Sequence, residues 1–506
     1  MRSPAAALAA ASLAALSVVV PVSRLDAAPS QVVPVPVSGP DASLAGQLDP
    51  IVALAPEDTC LVVSVDGVVA YDHRGADPQA PASAQKLLTS SAVLDAIPAD
   101  RTFETTVAAT AAPVDGVVHG DLALIGGGDP VLVTSRYRTW RGIGDSQPAT
   151  SLDALADQVV ATGVREVQGA IVVDDSRYDV VRTVPTWPSW YLGEQQSGPL
   201  GALVVDDGYR LEDDGSGSLT RVRSADPAID AGRALASLLQ DRGVAISGGV
   251  VRGRAADGAA SLATLASPPI SALVEHLLRR SDNQVAELLL KELGREVEGR
   301  GSTEAGARAV VAWASGAGAA SPGTFVADGS GLDPTNATTC TDLVVALDAA
   351  EPGGPLDAGL PVAGETGTLA ARYRDTPAAG VLRAKTGTLD HASALAGFVA
   401  LPEGGHATFA FLANDAVHEI GPATREAEAL LGVVLATWQP TCPPAAPRID
   451  APLVATSLAL AQATGLGGAV SSPGLVVALD AMSTVSAAPV DRCSHEAGAE
   501  IDLGAP

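Results

Sequence analysis

Pro81-Ala82-Ser83-Ala84-Gln85-Lys86-Leu87-Leu88 sets a hydroxyl and an amine three residues apart where an apolar helix begins. Residues i and i+3 share a helix face, so Ser83 and Lys86 are expected one turn apart. A serine hydroxyl becomes a useful nucleophile when a neighbouring base takes its proton, and a desolvated lysine can be that base. Alone, a Ser-x-x-Lys is a common accident, and Ser83 reads equally well as a helix cap. The wider cation usage gives it weight. The chain has 28 arginines and only three lysines, Lys86, Lys291 and Lys385. Arginine does not give up its proton in a protein, whereas lysine can.

Two further short motifs follow. Ser281-Asp282-Asn283 falls in the link between helices expected over Ile270–Arg280 and Gln284–Leu293, the second ended by Gly294. Lys385-Thr386-Gly387-Thr388 falls in a strand, the first of an antiparallel meander expected over Val381–Thr388, Ala394–Leu401 and Ala407–Leu412. Singly these are loop-forming residues and a strand end. In this order, with Ser83-x-x-Lys86, they form the motif set of class A β-lactamases and penicillin-binding proteins. Lys291 sits toward the end of a helix, where a cation is favoured by the dipole, and reads as structural.

With 506 residues and 47% hydrophobic composition, the chain has material for two or three domains and a large core. Acidic residues outnumber basic ones 58 to 31, a surface that repels nucleic acid and anionic lipid. Met1-Arg2 precedes an uncharged run from Ser3 to Ser23, and Leu25-Asp26-Ala27-Ala28 offers small residues for cleavage. This reads as an export signal, cleaved or kept as a membrane anchor. The protein is therefore expected outside the cytoplasm, at the outer side of the membrane or in the cell wall. Cys60, Cys340, Cys442 and Cys493 suit an oxidising compartment, with three pairings open, and none has metal-ligand spacing. No metal or cofactor is expected.

Along the chain, residues 29–43 read as a linker and Leu44–Leu54 as a short helix. Cys60 to Tyr71 reads as two strands turning at Asp66-Gly67. From Thr102 to Ser267 the texture is strand-like, with runs such as Gly116–Ile125 and Gly169–Val173. Gly126-Gly127-Gly128-Asp129-Pro130 lacks the Gly-Lys-Ser/Thr ending of a phosphate loop and reads as a tight turn. A helix over Pro422–Trp438 closes the folded part. Beyond Pro440 the composition becomes Ala, Pro, Gly and Ser-rich, a low-complexity tail. The uncharged Ala451–Leu479 within it could be read as a membrane span, but Gly465, Gly467, Gly468 and Pro473 interrupt it.

Longer stretches carry a resemblance. Pro81–Leu88, Gly120–Pro130, Ser281–Lys291, Asp328-Gly-Ser-Gly-Leu332, Leu360-Pro-Val-Ala-Gly364, Gly367-Thr-Leu369 and Ala384–Leu389 cover roughly residues 50 to 440. In them the chain resembles the type-4 class C low-molecular-mass penicillin-binding proteins, an exported D-Ala-D-Ala carboxypeptidase/endopeptidase family. The resemblance implies a multi-domain α/β chain with the penicillin-binding/β-lactamase-like transpeptidase fold. That fold has an antiparallel sheet, an all-helical subdomain and, here, a β-rich inserted domain. The boundaries are then 1–28 signal or anchor, 29–43 linker, 44–101 and 268–440 penicillin-binding domain, 102–267 insertion and 441–506 tail.

The implied chemistry is hydrolysis of peptidoglycan stem peptides ending in D-Ala-D-Ala through an acyl-serine, with β-lactams acylating the same serine. Ser83 is the expected nucleophile and Lys86 its base. Ser281, Asn283 and Lys385 complete the catalytic set. Thr386, Gly387, Thr388, Leu389 and Asp282 are expected to hold substrate. The backbone amides of Ser83 and Thr388 are the expected oxyanion hole, where one donor is worth about 3–4 kcal/mol.

Two departures stand out. The family often has an arginine shortly after Asp-Gly-Ser-Gly-Leu, where this chain has Asp333-Pro334-Thr335. Asp174, Asp175 and Tyr178 are an alternative pocket for a side-chain amine, against the plainer reading of a solvated loop. No Glu-x-x-Leu-Asn segment lies between Ser281 and Lys385, so a class A β-lactamase is the weaker reading and slow deacylation of penicillin is expected. An inactive peptidoglycan-binding scaffold is a third reading, disfavoured because Ser83 and Lys86 are both present. No Gly-x-Ser-x-Gly elbow or His-Glu-x-x-His motif occurs. The sequence leaves the oligomeric state open.

Overall fold

The computed structural model describes residues 42–439. The expected signal or anchor, the linker up to residue 41, the tail, Cys442 and Cys493 lie outside the described residues. The first helix runs Ala42–Val52. Asp58–Val65 and Val68–His73 then pair antiparallel around Asp66 and Gly67, both at positive φ (52° and 77°). Two left-handed residues give a hairpin turn whose twist suits the strands, which is why Asp-Gly is found there.

The meander from the other end of the chain completes the sheet. Leu382–Leu389, Ala392–Ala400 and His406–Asn414 pair in succession, and His406–Asn414 then pairs with Asp58–Val65. The five-stranded sheet that results has Leu382–Leu389 at one edge and Val68–His73 at the other. Its central strands are apolar almost throughout because helices cover both faces. Val62, Ala394, Ala396 and Leu412 share one core with Leu87, Leu88, Leu277 and Leu289. Leu61, Val63, Leu395 and Phe409 share the other with Leu44, Leu48, Leu431 and Leu435.

On the first face the Gln85–Ala96 helix is central, packed against Ile270–Arg280, Asn283–Glu298, Thr303–Ala317 and Cys340–Asp348. It is buried on nearly every side, including Gln85, Lys86, Thr89 and Ser90, so its sequence shows little amphipathic pattern. The Asn283–Glu298 helix continues past Leu293, where it was expected to end. Gly294 is not its cap. A Cβ there would lie 2.5 Å from the backbone nitrogen of Gly306, so the glycine admits the neighbouring helix, and Gly299 at φ 70° makes the left-handed stop. Cys60 in the sheet is bonded to Cys340 at the start of Cys340–Asp348, with their Cα atoms 6.0 Å apart.

After the central helix the chain leaves to build a second sheet. Its strands, in spatial order, are Val250–Arg252, Ile171–Asp174, Leu122–Ile125, Glu104–Ala109 and Ala260–Ala266. The first three are parallel, the others antiparallel. Two helices not read from the sequence, Leu152–Ala161 and Pro227–Asp241, bury Leu155, Val159, Leu235 and Leu239 against it. The outgoing and returning strands are tied together where they cross back: Phe103 and Ser267 exchange hydrogen bonds of 2.9 and 2.8 Å. The three glycines before Asp129 serve close packing, since a Cβ at Gly127 would lie 2.1 Å from the Glu104 carbonyl oxygen.

Candidate active site

Ser83 lies in a short 3-10 turn, Ala82–Ala84, that feeds the central helix. Ala82 is left-handed at φ 45°, a conformation costing a non-glycine residue roughly 1–2 kcal/mol. The turn is held by its surroundings. A Cβ at Gly331 would stand 1.8 Å from the Ala82 carbonyl oxygen, so the Asp328–Leu332 loop closes onto it only with glycine. Ser83 is half-buried, its hydroxyl reachable, while Lys86 is wholly buried.

Lys86 Nζ makes three hydrogen bonds: 3.0 Å to Ser83 Oγ, 2.7 Å to Asn283 Oδ1 and 2.5 Å to the Ser330 carbonyl. The Asn283 amide is oriented by its other end, because Nδ2 donates to the Gln196 carbonyl at 2.8 Å. Asn283 Oδ1 and Ser330 O can only accept. When Lys86 loses a proton, its lone pair can therefore face only Ser83, whose hydroxyl then donates to it.

Ser281 caps the Ile270–Arg280 helix in the left-handed region, φ 57° and ψ 41°. Asp282 caps the next helix by accepting from the Val285 N–H at 3.0 Å, with its other oxygen 3.5 Å from His276 Nε2. Its carboxylate thus serves the helix and the histidine. This corner turns Ser281 to the edge strand, where Lys385 Nζ donates to Ser281 Oγ at 2.8 Å and to the Thr386 carbonyl at 2.6 Å. Lys385 is wholly buried, Thr386 half-buried and Thr388 exposed. Thr386 and Thr368 hydroxyls meet at 2.7 Å. Gly387 pairs with Ala394 and faces the Ser83 turn, and Leu389 lies farther along the strand.

Burial lowers the Lys86 amine to about 8, with the charges of Asp328, Glu287 and Asp282 pulling the other way. Burial also drives Lys385 well below its ordinary range, and the Lys86 charge adds to this. Two buried amines this close resist being charged together. Two of these acids, Glu287 and Asp328, are themselves raised by burial, whereas Asp282 is lowered, beside His276. Glu287, accepting from the amides of Gly329 and Ser330, is pushed up to about 8 by burial and by Asp328. Asp328 accepts from Trp187 Nε1, Gly331, Asp333 and Asn336 and organises the loop that presents the Ser330 carbonyl.

Asp174, Asp175 and Tyr178 are placed elsewhere. Asp174 accepts from the Ser176 and Ala255 amides, Asp175 is paired with Arg182 and Arg252, and Tyr178 is buried with its hydroxyl 3.0 Å from Glu292. The two carboxylates and the hydroxyl are spent within the fold. Lys291 is buried with Nζ 2.7 Å from Asp179. Pro334, standing where an arginine was looked for, joins Pro188, Trp190, Tyr191 and Leu389 in a cleft of ≈ 790 Å³ at the far end of the edge strand. Sequence reasoning gave no role to Ser330 O, Gln196 O or Glu287. Two of these act through backbone carbonyls, which carry no residue signature.

The fold is shared with a penicillin-binding protein of known structure. Penicillin-binding protein 4 (dacB) from Haemophilus influenzae is similar with a TM-score of 0.66, at 20% identity, over 77% of this chain and 99% of that one. More particularly, the chain belongs to the D-Ala-D-Ala carboxypeptidase 3 (S13) family of serine peptidases, whose model matches residues 57–213 and 210–435. It is 32% identical to the D-alanyl-D-alanine carboxypeptidase of Actinomadura sp. (strain R39), over 76% of this chain and 83% of the relative. It is also 32% identical to carboxypeptidase DacB of Mycolicibacterium smegmatis, over 80% and 86%.

Proposed function

We propose that the chain is an exported D-Ala-D-Ala carboxypeptidase that works on peptidoglycan stem peptides through an acyl-serine at Ser83, and that β-lactams acylate the same residue. The observation that carries this reading is the Lys86 amine, 3.0 Å from Ser83 Oγ and otherwise bonded only to acceptors. The two relatives named as carboxypeptidases support the substrate class. Residues 102–267 are read as a domain inserted between the halves of the catalytic domain.

Neutral Lys86 takes the Ser83 proton as Oγ attacks the carbonyl between the two D-alanines. The amides of Ser83 and Thr388 receive the oxyanion. The substrate's terminal carboxylate lies against Lys385, Thr386 and Thr388. Its negative charge favours the protonated form of Lys385, and the positive charge so fixed on Lys385 disfavours a second one on Lys86, so substrate sets the base. Ser281, bonded to Lys385, passes a proton to the leaving amine, and Asn283 holds Lys86 and the peptide amide. Water then cleaves the ester. Among the described residues neither Ser83 nor Lys86 hydrogen-bonds a carboxylate that would activate that water against a bulky penicilloyl group, which favours slow deacylation.

The test is mass spectrometry of the purified protein after exposure to penicillin, beside Ser83→Ala, with release of D-alanine from a pentapeptide measured in parallel. One intact penicillin on Ser83, absent from the variant, is expected. Penicillin consumed without an adduct would make the protein a β-lactamase. Neither adduct nor consumption would leave a binding scaffold.

A further inference from the structure

After the strand Ile171–Asp174 the chain leaves the second sheet and runs along the helix that begins at Asn283. Contacts recur from one end of that helix to the other. Toward its far end Lys291 pairs with Asp179, and Glu292 accepts from Arg177 Nε at 2.9 Å and from the Tyr178 hydroxyl. In the middle, Leu288 shares a buried apolar cluster with Trp187 and Leu200. At its start the Gly198 N–H donates to Gln284 Oε1 at 3.0 Å, and the Gln196 carbonyl accepts from Asn283 Nδ2 at 2.8 Å. The Leu200 N–H donates to the Arg182 carbonyl at 2.9 Å and closes the segment on itself.

The backbone is strained and tightly packed where it meets Asn283. Gln195 is left-handed at φ 58°, a conformation disfavoured for any residue but glycine, and its side chain exchanges hydrogen bonds with Arg221. A Cβ at Gly198 would stand 1.8 Å from the Asp207 carbonyl oxygen and 2.4 Å from Gln284 Oε1. A strained residue on one side and an obligatory glycine on the other thus bring a single carbonyl to the Asn283 amide.

An asparagine amide can turn over, exchanging its oxygen and nitrogen with almost no change of shape. A carbonyl only accepts, so Gln196 selects the orientation that sends Nδ2 to itself and Oδ1 to Lys86. In the reversed amide, Nδ2 would face Lys86 and donate to the neutral amine, occupying the lone pair that otherwise meets the Ser83 hydroxyl. We infer that Gln195–Gly198 is a positioning segment for the base: by fixing the Asn283 amide, the Gln196 carbonyl directs the lone pair of neutral Lys86 to Ser83. The inference rests on the acyl-serine reading proposed above. These residues act through Asn283 and not on the substrate.

The sign of the effect follows from the hydrogen bond. A reversed amide stabilises neutral Lys86 and repels its charged form, so it lowers the amine's pKa while making the amine a poorer base toward Ser83. The charged groups acting on Lys86 are Asp328 in its loop, Glu287 on the Asn283 helix, Asp282 at the corner and Lys385 on the edge strand. The substitutions that test the segment replace none of them.

The experiment follows the rate constant for penicillin acylation against pH, in the whole protein and in Gly198→Ala and Gln284→Met. The first displaces the segment. The second, of similar size, removes the acceptor that holds the Gly198 amide, and Gln284 Nε2 has no hydrogen-bond partner to lose among the described residues. The amount of adduct at long exposure gives the folded fraction, so each rate constant is read per competent molecule. In both variants the high-pH rate constant should fall, by roughly tenfold in Gly198→Ala, and the acid limb should move down by about one pH unit. If Gly198→Ala gives no adduct, Gln284→Met decides alone. A limb that stays in place, or a high-pH rate constant within about threefold of wild type, in a variant that reaches full adduct would overturn the inference. Absence of an adduct on Ser83 in wild type would overturn the acyl-serine reading itself.

Discussion

Gly387 faces Ser83 so closely that a Cβ there would stand 2.9 Å from the serine's backbone nitrogen. The same atom would meet the Cβ atoms of Ala82 and Ala394 at 3.0 and 2.9 Å, so it is confined from three sides. The glycine of Lys-Thr-Gly is thus a spacing device that seats the Ser83 turn against the edge strand. Gly387→Ala should push the two apart. A displacement near 1 Å can cost about 100-fold, so the rate constant for penicillin acylation should fall by about that factor. A rate within threefold of wild type would show that the turn absorbs the methyl group.

Lys86→Arg separates charge from proton transfer. Arginine keeps a cation and its donors but does not act as a base at neutral pH. Both Lys86→Arg and Lys86→Met should lower D-alanine release by about 10²–10⁴-fold, the usual range for a positioned base. Activity near wild type in the arginine variant would mean that Lys86 acts by its charge.

Much of this site was legible because its chemistry resides in side chains at short, ordered spacings. Ser83 and Lys86 are three apart on one helix, and the other two motifs each occupy adjacent positions, so local geometry nearly suffices. The hairpin at Asp66-Gly67 and the strands from Leu382 to Asn414 were readable for similar reasons. What was illegible depends on distant chain. The Ser330 and Gln196 carbonyls look like any others until the fold delivers them to Lys86 and Asn283. Gly294 has the local look of a helix stop, and only the approach of Gly306 gives it another purpose. The Pro227–Asp241 helix did announce itself, through the Asp226 cap and Pro227 at its first turn. It was hidden by reading the whole stretch as strands.

The pH dependence has a definite sign. Lys86 is depressed to about 8 in the folded protein, so the neutral amine accumulates as pH rises through that value. The free-enzyme kcat/KM should climb with unit slope below pH 8 and level off above it. Stability moves the same way. The unfolded chain holds the lysine proton up to its ordinary pKa near 10.4, so between about pH 8 and 10 it binds more protons than the folded state. The penalty for burying a charged Lys86, about 3 kcal/mol at most, is full below pH 8 and fades above it. Lys385, lowered for the same reason, adds in the same direction. Unfolding free energies across pH 8–10 should therefore rise for wild type and more weakly for Lys86→Met. A flat wild-type profile, or a rate without an acid limb near 8, would contradict this account.

The Cys60–Cys340 bond spans 280 residues and joins a strand of the main sheet to the helix behind it. Closing so long a loop removes much of the unfolded chain's freedom, and loss of a native disulfide typically costs about 2–5 kcal/mol. Thr339 caps the helix that Cys340 begins through a reciprocal capping box with Asp342, so the helix end has its own support without the bond. Neither cysteine hydrogen-bonds or replaces any group around Ser83. Cys60→Ala/Cys340→Ala, or reductant on wild type, should thus lower the free energy of unfolding by a few kcal/mol in denaturant titration, yet leave penicillin acylation at 25 °C within about threefold. Acylation lost in parallel with a native-like unfolding midpoint would instead make the bond part of the mechanism that positions the Ser83 turn.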